Sequence, residues 1–131
     1  MERREGIDAP DQDAFAAFAE RASDGPVYML NLLEFLPDGG AERYAEYGEA
    51  VAPLLERAGG KAVFAGRVAE SLIGEGSWDL MLLVSYPSRQ AFLDMVSSPE
   101  YQEIEHLRSQ ALGRSELRAM DALDPETRAA G

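Results

Sequence analysis

A chain of 131 residues and 14.3 kDa has room for one compact domain, and 46% hydrophobic with 27% charged residues gives it the apolar content of a folded protein. The 24 Asp+Glu against 12 Lys+Arg leave a formal charge of -12, which repels phosphate backbones and anionic lipid and argues against nucleic acid or a membrane as partner. With no Cys and one His, disulfides, thiolate catalysis and Cys- or His-rich metal sites are excluded, so no metal and no cofactor is expected.

Met1 to Gly6 is charged and lacks the apolar core of a secretory signal, and no stretch has the roughly 20 apolar residues that span a bilayer, so the cytoplasm is the expected compartment. From Pro10 to Ala22, Phe15, Phe18 and Ala22 recur at helical spacing behind Asp11 and Asp13, which predicts a short amphipathic helix. Ser23-Asp24-Gly25-Pro26 breaks it, and Val27 to Phe35 reads as a strand that is apolar at almost every position. Ala41 to Ala58 places Tyr44, Tyr47, Val51, Leu54 and Leu55 on one stripe of a long helix, in which Pro53 predicts a kink or break near Ala50. Lys61 to Ile73 and Trp78 to Tyr86 read as a β-hairpin across Gly74 to Ser77, with Gly66 marking a bulge or close backbone approach. Ser88 and Ser98 are N-cap candidates for two helical pieces, the second with Pro99 in its first turn and reaching about Leu112. Arg114 to Leu123 supplies the last strand.

The order after the leading helix is β, α, β, β, α, β, the ferredoxin-like arrangement of an α+β domain with helices on one face of a four-stranded antiparallel sheet. The expected organisation is an N-terminal extension over residues 1–25, the ferredoxin-like domain over 26–123 and a flexible tail over 124–131. In such a monomer one sheet face meets water, so its central strands should be polar on one side. Here Tyr28, Leu30 and Leu32 oppose Met29 and Leu33, and Leu80, Leu82 and Val84 oppose Met81 and Leu83, leaving neither face polar. A homodimer packed sheet against sheet would cover the surplus face. The leading helix is a second candidate for part of it, with only two phenylalanines to offer.

Five residues stand out as candidate ligand contacts: Asn31, Tyr47, Trp78, Tyr101 and Arg108. Asn31 interrupts an apolar strand, where it is either satisfied by neighbouring backbone or held for a ligand. Trp78 reads as core or as a stacking platform, and Asp79 beside it as a partner of Arg67 or a turn cap. Tyr101, Glu105 and Arg108 share one helical stripe, as a polar site or as a Glu105–Arg108 surface ion pair with Tyr101 packed on the sheet. Tyr101, His106 and Arg108 are the catalytic candidates, through a phenol, an imidazole that titrates near neutrality and a planar oxyanion-binding fork. His106 lies off the Tyr101–Arg108 stripe.

Pro26 to Phe35, Glu46-Tyr47, Ala58-Gly59-Gly60, Gly74 with Trp78-Asp79, Tyr86-Pro87-Ser88, and Ser98-Pro99-Glu100-Tyr101 followed by Arg108 together resemble the bacterial family called domain of unknown function 1330. The resemblance covers nearly the whole chain, including the leading helix. It implies a dimeric α/β barrel of two ferredoxin-like subunits. The wider superfamily includes cofactor-free monooxygenases, muconolactone-type isomerases, stress-responsive proteins and haem-dependent enzymes, while the family itself has no settled reaction. In the family pattern a His often directly precedes the Arg, whereas here Leu107 separates His106 from Arg108. The implied function is a homodimer binding a small organic acid, lactone or phenolic compound, with cofactor-free isomerisation or oxygenation as its chemistry. Non-catalytic ligand binding or a stress-associated dimer is the alternative, and haem binding through His106 a third reading.

Overall fold

The computed structural model describes residues 10–123, and the Met1–Gly6 segment and the expected tail over 124–131 lie outside the described residues. Eight elements follow one another: α1 (Gln12–Glu20), β1 (Val27–Phe35), α2 (Gly40–Arg57), β2 (Lys61–Arg67), β3 (Leu80–Tyr86), α3 (Arg89–Val96), α4 (Pro99–Ser109) and β4 (Leu112–Met120). The strands form one antiparallel sheet in the order β2-β3-β1-β4, so the most apolar strands, β1 and β3, are the central pair. This is the ferredoxin-like α+β architecture.

Alternation along β1 divides the sheet. Val27, Met29, Asn31 and Leu33 are buried beneath the helices, while Tyr28, Leu30, Leu32 and Glu34 are half-buried on the other face. The registers Met29↔Val84 and Asn31↔Leu82 bring β3 onto the helix face at the same level, and Asn31↔Leu117 does so for β4. The main core joins Val27, Met29 and Val84 to Tyr47 and Leu54 of α2, Phe92 and Met95 of α3, and Tyr101 of α4.

Local chemistry sets the boundaries. Asp11 caps α1 by accepting the Ala14 amide at 3.0 Å, and Ser88 and Ser98 cap α3 and α4 by accepting from Ala91 at 3.1 Å and Tyr101 at 3.2 Å. Gly40 opens α2 where a Cβ would sit 2.6 Å from the Ala111 carbonyl oxygen, so only glycine lets the helix start that close to the chain entering β4. The break expected near Ala50 does not occur: α2 runs unbroken through Pro53. Pro53 and Glu49 are both exposed, so the carbonyl that loses its helical partner faces water.

Two strand boundaries differ from the sequence reading. β2 ends at Arg67, opposite Leu80, and one further bond, from Val68 N to Asp79 O at 3.1 Å, closes the contact between the two chains. The Asp79 amide donates to Leu33 O at 2.8 Å and its side chain accepts from the Phe35 amide at 2.8 Å, beside the irregularity between Glu34 and Phe35. Asp79 therefore secures the end of β1 rather than pairing with Arg67. The bulge of β2 falls between Ala62 and Phe64, while the space at Gly66 is taken by the Phe64 ring, 3.0 Å from where a Cβ would stand. At the far end α4 stops at Ser109 and β4 begins at Leu112, since Ala111 O accepts from Leu36 N at 2.9 Å and Leu112 pairs with Phe35.

The leading helix does not cover the second sheet face. Phe18 meets Phe92 edge-on with centroids 5.7 Å apart, and the Arg89 guanidinium lies 5.3 Å from the Phe18 centroid, which places α1 in the helical layer beside α3. The other face keeps its apolar side chains, and Phe64 on its edge strand is 56% exposed. No helix among the described residues is long and apolar enough to cross a membrane.

Candidate functional site

The most polar cluster in the interior forms where β1, α2 and α4 meet. Asn31 projects from the middle of β1 toward the helices and is buried. Its Nδ2 donates to Met29 O and Leu82 O, each at 3.4 Å, and its Oδ1 accepts from Arg108 Nη2 at 3.4 Å. Every one of these is longer than a typical N–H···O bond of about 2.7–3.2 Å, so the amide is oriented but loosely held. Asn31 thus does both things the sequence allows: it satisfies backbone, and it positions a guanidinium.

Arg108 reaches this point from the last turn of α4, where a cation complements the helix dipole. It is half-buried, and among the described residues no carboxylate lies within salt-bridge distance of it. The Glu105–Arg108 pair is not formed; Glu105 is exposed. Two tyrosines back the cluster. Tyr47 of α2 and Tyr101 of α4 share a buried hydroxyl–hydroxyl bond of 2.9 Å, their rings edge-on with centroids 6.2 Å apart. Tyr44, one turn before Tyr47, stacks obliquely on it at 5.4 Å and on Phe35 at 5.7 Å.

Burial pushes the Tyr47 hydroxyl pKa far up, and the Tyr101 hydroxyl beside it adds to the rise. Burial also raises Tyr44 and Tyr86, with the Arg108 charge offsetting part of each shift. These phenols stay protonated at neutral pH and so offer no base there. None of the cluster's hydrogen bonds among the described residues goes to a carboxylate or an imidazole.

Arg108 also lines a cleft of about 600 Å³ between the helices and β4. Its floor is Met29 with Ser115, Leu117 and Ala119 of β4, Phe92 closes one side, and Ala14, Phe15 and Phe18 of α1 form the opposite wall. The volume lies within the roughly 300–1,000 Å³ span of small-molecule sites.

Of the candidates from sequence, Asn31, Tyr47, Tyr101 and Arg108 converge on this one locus. Trp78 does not: it lies before β3 at the other side of the sheet, its ring covered by the Arg114 guanidinium at 3.9 Å, and Arg114 in turn stands 3.8 Å from Glu34. His106 is exposed on α4 and lines neither the cluster nor the cleft, so the donor set does not fit a haem ligand. Among the described residues no group of three or more His, Asp or Glu is placed to hold a metal ion.

Two participants were missed in the sequence. Tyr44 was legible as one turn from Tyr47 but was not counted with it. Arg89 carried a fainter signal, a cation at the first position of a helix, where the dipole disfavours it. It is 3% exposed, donates to Asp121 Oδ1 at 3.1 Å, and has Nε and Nη1 without protein partners. Asp121 also binds Arg21 at 3.0 Å, and the two arginines beside it hold its carboxyl below the usual range. This ion cluster fastens the end of α1 to the end of β4.

No curated protein matches the chain. Among solved structures it is similar to the RPA0582 protein of unknown function from Rhodopseudomonas palustris, at 38% identity over 91% of this chain and 98% of that one, with a TM-score of 0.81. More distant likenesses, which bear on the fold alone, are Rv0793 from Mycobacterium tuberculosis (21% identity, 76% and 96% of the two chains, TM-score 0.59) and a protein from Jannaschia sp. CCS1 described as a dimeric ferredoxin-like protein of unknown function (13%, 75% and 100%, 0.58). The model of the family described as Domain of unknown function (DUF1330) matches residues 36–122, leaving α1 and β1 outside the match although the sequence resemblance included them. The family match and the 38% identity to the Rhodopseudomonas palustris protein together show that the chain belongs to the DUF1330 family.

Proposed function

We propose that this protein is a cytoplasmic homodimer that binds a small organic molecule through an anionic oxygen, a carboxylate or an enolate, at Arg108. One observation carries the reading: a half-buried guanidinium, aimed by Asn31, faces a cleft with no carboxylate partner among the described residues. Arg108 is half-buried with no carboxylate against it among the described residues, and a ligand oxyanion would supply the opposing charge to a planar fork suited to it. Tyr47 and Tyr101 stand behind the fork and keep its surroundings dry and polar. Isomerisation or cofactor-free oxygenation would also require a base, and the raised tyrosines do not provide one at neutral pH, which favours binding over turnover. The formal charge of -12 keeps nucleic acid and membranes outside this reading.

Self-association is supported by the second sheet face, where Tyr28, Leu30, Leu32, Met81 and Leu83 remain half-buried and Phe64 exposed with no helix over them. The Jannaschia structure is described as dimeric. Light scattering behind size exclusion should give twice the chain mass at micromolar concentration; a monomer there rejects the sheet-to-sheet dimer. For the site, ligand-observed NMR with a panel of small carboxylic acids should show saturation transfer for the wild type and none for Arg108→Gln. Equal transfer in both would move the site away from Arg108.

A further inference from the structure

The cleft beside Arg108 is chemically lopsided. Its cationic end is Arg108, and the remaining walls are largely carbon: Met29, Phe92 and Leu117 on one side, Phe15 and Phe18 of α1 on the other. Three further charged groups line it, and each is engaged. Asp11 accepts the Ala14 amide at 3.0 Å as the cap of α1, while Glu116 accepts from Arg118 Nη2 at 3.1 Å. Arg108 is therefore the one lining charge without an ionic or capping partner among the described residues. The α1 wall is held at its C-terminal end by Phe18 on Phe92 and by the Arg21–Asp121 pair, whereas the helix has no buried residue and Phe15 is 40% exposed beside the cleft. An exposed aromatic on a short helix gains little from the fold alone, but gains from an apolar body placed against it.

From this we infer that the ligand is an amphiphilic monocarboxylate, its carboxylate on Arg108 and its hydrocarbon or aryl body against Phe15 and Phe18, so that α1 is the element that selects for the body. This rests on the reading of Arg108 as the oxyanion site and narrows it: a short polar acid would satisfy the guanidinium and leave most of the cleft to water. The dicarboxylates are disfavoured, since the cleft offers no second cation without an ionic partner among the described residues: Arg118 is paired with Glu116.

Calorimetric or NMR titration of the full chain with acetate, butanoate, hexanoate, octanoate and phenylacetate tests it. Affinity should rise roughly two- to fourfold per added methylene until the cleft is filled. Phe15→Ala, at a site already exposed and with a better helix former, should weaken hexanoate and phenylacetate about tenfold or more while leaving acetate within twofold. Arg108→Gln should abolish all of them. If the acids bind in an Arg108-dependent way but with no dependence on chain length or on Phe15, the oxyanion site stands and the selectivity assigned to α1 is wrong. If the longer acids bind equally well to Arg108→Gln, the cleft is merely a greasy surface, and if none binds at any length both readings fall.

Discussion

Replacing Tyr47 by Phe keeps the ring and removes one oxygen from a buried pair. The two hydroxyls are 2.9 Å apart, on side chains 9% and 8% exposed, and neither has another hydrogen-bond partner among the described residues. The single variant therefore loses a hydrogen bond and strands the Tyr101 oxygen out of water, a penalty of about 1–3 kcal/mol. Tyr101→Phe should cost a similar amount for the mirror reason. In Tyr47→Phe with Tyr101→Phe, no polar atom is left stranded, and the rings retain their edge-on contact, so the double variant should cost no more than either single one. The expected coupling is thus about 1–3 kcal/mol in favour of the pair. Urea unfolding at one fixed protein concentration measures all four corners, the fixed concentration being needed because association would add to apparent stability. Additive losses would refute the reasoning, since they would mean that each hydroxyl is satisfied independently of the other. The same set of proteins separates structure from binding: a double variant that is stable yet takes up carboxylic acids as the wild type does leaves the tyrosine pair as a core device behind Arg108, not part of the ligand contact.

Raising the pH titrates these phenols. The folded state holds the protons of Tyr47 and Tyr86 where the unfolded chain gives them up, so stability is complete below about pH 10 and declines above it, by about 1.4 kcal/mol per pH unit for each of the two, with Tyr44 acting in the same direction. Denaturant midpoints from pH 9 to 11, with Tyr47→Phe showing a shallower decline, check this; a flat profile would contradict the burial argument. Gly40→Ala puts a methyl 2.6 Å from the Ala111 carbonyl oxygen and should cost about 1–3 kcal/mol, or about 4–12 °C in Tm by thermal denaturation; an unchanged Tm would show that the α2 start can retreat. At the α1 anchor, Asp121→Ala leaves the buried Arg89 guanidinium without its carboxylate and should destabilise by about 1–2 kcal/mol, moderated because Asp121 is itself 46% exposed. Arg89→Met, which removes the buried charge altogether, should be milder in the same urea assay, and the reverse order would mean that Arg89 is better solvated than its burial indicates.

The fold was legible because its signals are local and repeated. Capping serines at Ser88 and Ser98 and glycine at the turn before α2 each specify a boundary from within a few residues, and two apolar runs mark the central strands. What failed were ends whose limits are set by a distant partner. Val68, Leu72 and Ile73 extend the apolar content of β2 in the sequence, but Leu72 and Ile73 are 89% and 96% exposed because β3 has no strand there to offer them. Likewise Trp78 reads as a packing residue, while the role of its neighbour Asp79 is set by the backbone at Phe35, 44 residues earlier, which donates to its carboxylate.

The candidate site shows the same division. That Asn31 was out of place in its strand could be read directly, since an amide among Leu and Met must be paid for by some partner. That the partner is Arg108, 77 residues away, depends on the last turn of α4 crossing the middle of β1, which no spacing within α4 reveals. The position of α1 was harder still. Its two phenylalanines would serve equally as cover for part of the outer sheet face, but Phe18 instead packs against Phe92 and the Arg89 guanidinium in the helical layer. This placement leaves the outer face uncovered, which strengthens the case for a second copy there, and at the same time gives the Arg108 cleft a wall carried by a different element from those that hold Asn31 and Arg108. If the body-binding wall is built from α1 while the oxyanion site is built from β1 and α4, members of the family can keep one and vary the other. Transplanting α1 from a relative with small residues at the positions of Phe15 and Phe18 should then shift the preferred acid toward shorter chains without weakening acetate. A transplant that weakens every acid alike would mean that α1 supports the fold around Arg108 rather than the choice of ligand.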